Sequence, residues 1–377
     1  MATGKVPASG HRRLPAGTAA AVLIATLHLH GPADAEAIHS AKVRLQVRAD
    51  LGDFAASGDS EYRTGSDFYL RRSRLEITGR PRENVSFQLV LAGDRLGQRE
   101  SSGRASLPYA FVNYRFGDAA SIRAGQLKLP MIRQRWVSAS RQLFIDRSLP
   151  ALALGNAVGG YLAPQVSLHG KLRGGTLAYL LSLSDGLEAG DSDSRFSGAA
   201  VDQADGPALV GRLELSPAGW LEGKKRESHL GTGRHFALAL NAAREGGIEI
   251  GGTREDRLLV GGDLSYHHGG LGIQAEYLRL YRSGGGDASP AGWYLQSGYY
   301  LSGRQLEPAI RIARYDADLP AGGDAITTCT GGLNWYADGH RLKLMLNLVH
   351  ERFGPNVREL FGEPARTSAQ LMNQVYF

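Results

Sequence analysis

The chain has 377 residues, of which 42% are hydrophobic and 21% charged, a balance that excludes a protein built from many membrane-spanning helices. Fifty Gly, 15 Pro and 15 Tyr point to tight turns and aromatic-bearing strands, while the single Cys329 rules out a disulfide framework, a cysteine zinc cage and a covalently attached c-type haem. The net charge of +6 favours anionic partners without naming one.

At the start of the chain, Arg12 and Arg13 precede an apolar stretch over 15–27, and Ala35-Glu36-Ala37 follows. A basic flank, a short apolar run and an A-x-A site are the parts of a secretory signal peptide, and the run is too short to span a bilayer comfortably. Residues 1–37 are therefore expected to be a leader and 38–377 the mature domain. The alternative is a hydrophobic amino-terminal helix that is kept.

The remainder alternates. Over 41–50, Lys42, Arg44, Gln46 and Arg48 share one face of a strand, and Val43, Leu45, Val47 and Ala49 share the other. Over 341–350, Leu342, Leu344, Leu346 and Leu348 share a face that no helix could bury together. Val85, Phe87, Leu89 and Leu91, and Phe236, Leu238, Leu240 and Ala242, repeat the pattern. Sixteen strands are expected, near 41–50, 67–79, 85–94, 105–117, 120–129, 159–172, 175–184, 207–216, 235–244, 257–267, 270–281, 292–302, 305–315, 326–337, 341–350 and 368–377. Their length, about 10 residues, suits a tilted bilayer crossing better than a soluble sandwich, and an even number permits closure. The fold class expected is an all-β transmembrane antiparallel barrel with long extracellular loops, one of them folding into the lumen. Short Gly-containing connections alternate with long ones, which include 130–158, 185–206, 245–256 and 351–367; the long connection 217–234 breaks the alternation. The last residues, Val375-Tyr376-Phe377, place aromatic rings where an interfacial girdle is expected.

The longest loop, 130–158, carries Arg133, Arg135, Arg141 and Arg147 against one acid, Asp146. Folded into the lumen, these guanidiniums would face permeating anions, to whose oxygens a planar fork is well matched. Held outside, they would keep the loop solvated or contact lipopolysaccharide. Lys128 shares a polar face with Gln126 at the strand end before the loop. Arg44, Arg48, Arg72 and Arg74 would line the inner wall, either as weak anion-binding steps or as braces paired with acids such as Glu76. Arg254 and Arg257 are placed at an outer loop and a strand mouth.

Signals for catalysis are poor. Gly270-Leu271-Gly272-Ile273-Gln274-Ala275 fits a dinucleotide-binding pattern but opens a strand. His267-His268 lacks a spaced third ligand, and no G-x-S-x-G elbow occurs. No catalytic residue, metal site or cofactor is expected, and the strand pattern speaks against nucleic acid as a partner.

Several segments, in order, resemble the phosphate-selective porins O and P of Gram-negative outer membranes. Leu70-Arg71-Arg72-Ser73-Arg74-Leu75-Glu76 is similar to that family's Arg-rich second strand, and Arg123-Ala124-Gly125-Gln126-Leu127-Lys128-Leu129-Pro130 to its G-Q-x-K-x-P strand end. Leu143-Phe144-Ile145-Asp146-Arg147-Ser148 resembles its F-x-E/D-R-S loop, and Gly332-Leu333-Asn334-Trp335-Tyr336 its penultimate hairpin. After Pro130 the chain has Met131-Ile132-Arg133, where the family usually has Phe and soon an acid. The resemblance implies a sixteen-stranded outer-membrane barrel, a homotrimer embedded in outer-membrane lipid, and passage of small anions such as phosphate or polyphosphate. A general diffusion porin is the alternative, and an outer-membrane barrel enzyme a more distant one.

Overall fold

The computed structural model describes residues 40–55, 62–98, 104–160, 162–190, 200–222, 226–284 and 288–377. The expected leader, 1–37, lies outside them. The strands are β1 (Ser40–Ala55), β2 (Tyr62–Arg82), β3 (Val85–Asp94), β4 (Arg104–Arg115), β5 (Ser121–Lys128), β6 (Leu162–Leu172), β7 (Leu177–Ser184), β8 (Gln203–Ala204), β9 (Ala208–Leu215), β10 (His235–Ile250), β11 (Thr253–His268), β12 (Leu271–Ser283), β13 (Ala291–Tyr299), β14 (Leu306–Asp316), β15 (Ala325–His340), β16 (Leu342–Phe353) and β17 (Ala365–Tyr376). The two-residue β8 pairs with the far end of β10. The other sixteen form an antiparallel meander that closes when β17 pairs with β1, from Arg44 opposite Tyr376 to Gly52 opposite Ser368.

The alternation read from the sequence sets the faces. On β16, Leu342, Leu344, Leu346 and Leu348 are between 36% and 57% exposed, whereas Lys343, Met345 and Asn347 are each 1% or less. The leucines therefore point outward and their neighbours into the lumen. Leu346→Arg puts a charge on the outward apolar band and should cost about 2–4 kcal/mol at mid-membrane depth. Lys343→Leu, which alters only the lumen, should still yield folded barrel. Equal yields of heat-modifiable folded protein from the two variants would refute the face assignment.

One expected loop is not there. The connection 245–256 is strand almost throughout: β10 and β11 pair up to Ile250 opposite Thr253, and the turn is Gly251-Gly252. A register shift between Glu245 and Ile248 absorbs Gly246 and Gly247 as a bulge, and these two glycines interrupt the side-chain alternation that reveals a strand.

Short turns and both described chain termini lie at one end of the barrel and long connections at the other, with two exceptions: the long connection from β9 to β10 at the short-turn end and the tight Gly251-Gly252 turn at the long-loop end. Pro130, which has no amide to offer the ladder, stands two residues beyond the end of β5, and the chain from Leu129 to Gly160 folds into the lumen. This inward loop holds two short helices, α1 (Arg133–Trp136) and α2 (Leu149–Ala153), the second with Pro150 in its first turn, and a 3₁₀ turn over Ala139–Arg141. Its Leu129, Met131, Ile132, Leu149, Leu154 and Val158 are buried against inward side chains including Val210, Leu259, Leu278, Leu280, Ile326 and Phe353. The main apolar core thus lies inside the barrel. Wall glycines admit the loop: a Cβ at Gly298 would stand 2.8 Å from Leu143, and one at Gly292 the same distance from Pro150. A third helix, α3 (Pro355–Phe361), caps the connection from β16 to β17.

Candidate functional site: a basic cavity in the lumen

Between the inward loop and the wall of β1–β5 lies a cavity of about 200 Å³, lined by Arg44, Arg72, Arg74, Arg123, Lys128 and Arg147, with Glu76 as its one carboxylate. Gln88, Tyr109, Phe111 and Trp136 also contribute to its wall. Period two on β2 brings Arg72, Arg74 and Glu76 to the same face. On β5 the register sets Arg123 opposite Asn113 and Gly125 opposite Phe111, so the residues facing the lumen are Arg123 and Leu127 rather than Gln126.

The six cations differ in how they are compensated. Arg44 pairs with Glu76, and Arg74 with Asp94. Arg147 donates Nε–H to the Gln134 carbonyl at 2.9 Å, and the Lys128 ammonium lies 5.7 Å from the Tyr109 ring centroid. Arg72 donates to Gln46 Oε1 at 2.7 Å, and the Arg123 guanidinium lies 4.8 Å from the centroid of the Phe111 ring. Neither of these last two takes part in an ion pair among the described residues. A ring face offsets only about 0.5–2 kcal/mol of a cation's lost hydration, so Arg72 and Arg123 leave the cavity with positive charge that a passing anion can satisfy.

Of the nine basic residues singled out in the sequence, Arg44, Arg72, Arg74, Lys128 and Arg147 line this cavity. Lys128 reaches it from the strand end, although β5 pairing places Lys128 and Gln126 on the parity opposite Arg123 and Leu127. Arg48, Arg133, Arg135 and Arg141 do not line this cavity: Arg48 turns into the lumen elsewhere on β1, and Arg133 and Arg135, contrary to the expectation that the loop's guanidiniums face permeating anions, are engaged by protein partners. Arg133 docks on the opposite wall, its Nη1 3.3 Å from Asp263 and 3.9 Å from Glu214, with its amide donating to Glu276 at 2.8 Å. Arg212 completes that cluster with a 2.5 Å contact to Asp263. Arg135 ties the loop to itself through the carbonyls of Ala151 and Gly155, at 2.9 and 2.7 Å. Arg48 pairs with Asp50 and with the loop's Asp146, which also holds Arg71. The Arg141 carbonyl accepts amides from Glu227 and Ser228. Arg257, placed by sequence at a strand mouth, is wholly buried, pairs with Glu255 and donates to Ala157 O at 3.1 Å. The lumen therefore has a wall over β9–β12 on which the buried arginines Arg212 and Arg257 both have carboxylate partners, and one of excess positive charge over β1–β5.

Arg123 escaped the sequence reading because Gln126 and Lys128 suggested the other parity for β5. Its flanking Ile122 and Ala124, apolar on either side of a cation, carry the correct one.

The sequence profile of phosphate-selective porin O and P matches residues 41–377. The chain belongs to that family. A protein of Aquifex aeolicus, itself uncharacterised, is 31% identical to this porin over 369 residues, covering 89% of this chain and 86% of the relative. Among solved structures, the anion-selective porin from Comamonas acidovorans superposes with a TM-score of 0.63 at 17% identity, covering 90% of this chain and 99% of its own. Salmonella typhi OmpF gives 0.62 at 11%, covering 90% and 97%, and the DcaP channel of Acinetobacter baumannii 0.58 at 13%, covering 90% and 96%. At these identities the structural likeness speaks for the barrel alone. This porin is an outer-membrane channel of a Gram-negative bacterium, not an enzyme; its short-turn end is periplasmic and its long-loop end extracellular.

Proposed function

We propose that this porin passes small anions, phosphate or polyphosphate among them, through the basic cavity between the inward loop and β1–β5. The observation that carries this reading is the pair Arg72 and Arg123, two lumenal guanidiniums outside any ion pair among the described residues, in a cavity with a single carboxylate. Arg44, Arg74, Lys128 and Arg147 extend the positive field, and in a narrow low-dielectric passage that field acts at greater strength than in bulk water. Many modest contacts suit conduction, which needs release as much as capture. Arg44 and Arg74, each with an acid partner, brace the wall at the same time.

In planar bilayers under a chloride gradient, the reversal potential should report anions as the permeant species, and added phosphate should reduce chloride current. Near-equal anion and cation permeability would instead identify a general diffusion porin. Anion selectivity without any effect of phosphate would withdraw phosphate and keep the anion path. The assembly proposed is a homotrimer in outer-membrane lipid, to be checked by the mass of the detergent-extracted complex. Residues 1–37 are proposed to be removed on export, so mass spectrometry of the membrane-extracted protein should find its first residue at or near Ile38; a chain still starting at Met1 would exclude this.

A further inference from the structure

The connection from β9 to β10, residues 216–234, lies at the periplasmic end, where the other described connections are short. Antiparallel neighbours can be joined by a two-residue turn, so its length is not needed for closure. Its residues 226–229 enter the lumen, where Glu227, Ser228 and His229 are nearly fully buried. The amides of Glu227 and Ser228 donate to the Arg141 carbonyl at 3.2 and 3.4 Å, and Glu227 Oε2 accepts the Leu143 amide at 2.9 Å. Strand residues seat this segment in turn. Gln274 donates to the Arg226 carbonyl at 3.2 Å, His340 Nε2 lies 3.0 Å from the Ser228 carbonyl, and the His229 ring stacks on His267 with centroids 4.0 Å apart.

Arg141 and Leu143 belong to the stretch 138–147 of the inward loop, which gives the cavity Ser138, Ala139 and Arg147. Strands hold this stretch on one side, through Lys343 to the Gln142 carbonyl, Asn334 to the Leu143 carbonyl and Asn347 to the Ile145 amide. Glu227 holds it from below. A carboxylate is costly to bury unless its oxygens are bonded, and one of them is spent here on a main-chain amide of the loop.

We propose that Glu227 is a positioning residue of the pore, a strut from the periplasmic side that fixes the inward loop against Leu143 and so sets the gap between Arg147 on the loop and Arg72 and Arg123 on the wall. The proposal rests on the reading that anions pass through that gap. With the strut removed, the stretch 138–147 gains freedom to move on the timescales of loops, and the passage it borders fluctuates.

The test is single-channel recording of the full-length porin with Glu227→Ala and Glu227→Gln, each first shown to be folded by its heat-modifiable mobility. Glu227→Ala should give a severalfold rise in open-channel current noise and a changed anion-to-cation permeability ratio. Glu227→Gln, which keeps an oxygen acceptor for the Leu143 amide, should restore a quiet channel. A merely structural role would lower the yield of folded barrel and leave the surviving channels unaltered. Folded Glu227→Ala channels as quiet and as selective as wild type overturn the proposal. If that variant does not fold, His229→Ala, which loosens the seat of the strut, must show the same noise, and quiet His229→Ala channels overturn it equally. A wild-type channel that does not prefer anions would defeat the anion reading, while the noise comparison would still decide the strut.

Discussion

Exchanging Arg72 and Arg123 together for Glu should move the reversal potential of this porin toward that of a cation channel. Each exchange removes a positive charge and adds a negative one in a confined cavity where field lines are focused. Only 1.4 kcal/mol is needed for a tenfold change, so the anion-to-cation permeability ratio should fall by about tenfold or more. Arg254→Glu is the comparison. Its side chain is 67% exposed beside the Gly251-Gly252 turn, where salt screens charge over about 8 Å, and selectivity should change little. Arg133 is a poor choice for such an experiment, because its charge is already engaged by Asp263 and Glu214. If Arg254→Glu altered the reversal potential as much as the double exchange, the selective region would lie at the mouth instead.

Asp263→Ala should be among the most damaging single changes in the lumen. Its carboxylate is fully buried and accepts from Arg212 and from Arg133. Removing it leaves two buried arginines sharing Glu214, 3.2 Å from Arg212 and 3.9 Å from Arg133, and breaking a buried cluster in this way costs about 3–5 kcal/mol. The folded barrel should then convert to its unfolded gel mobility at a distinctly lower temperature, and the inward loop, whose Arg133 docks there, should become open to protease. Replacing Asp263 and Arg212 together by apolar residues of matching volume should recover much of the loss, since a buried ion pair often does no better than good packing. An Asp263→Ala barrel that resists heat as well as wild type would mean that the cluster holds nothing.

The barrel was legible because its signal is local. Four outward leucines at alternate positions on β16 specify a strand and its faces without reference to any distant residue, and the same holds for β1, where Arg44, Gln46 and Arg48 turn inward. The hairpin of β10 and β11 was hidden by Gly246 and Gly247, which have no side chain with which to continue an alternation. The site was only half legible, for a different reason. Whether an arginine is available to an anion depends on its partner, and the partners are remote in sequence: Asp263 for Arg133, Asp146 for Arg48, the Ala151 and Gly155 carbonyls for Arg135. A run of guanidiniums in a loop says that charge is present; only the fold says which charges are spent.

Besides its polar anchors, the inward loop packs apolar side chains against the inner faces of β9–β12 and β14–β16, and this bears on what holds the barrel together. A water-filled barrel can zip shut around nothing, but here Ile326 of β15 and Phe353 of β16 lie against the loop's own apolar residues, and Met345 and Met372 enclose Ile145. The seam between β17 and β1 therefore closes a barrel whose interior is occupied by packed protein, so that the loop and the inner faces of β15, β16 and β17 stabilise one another. Cutting out the loop to obtain a wider pore would leave those inner faces greasy and wet, and would take from the barrel the core that it encloses.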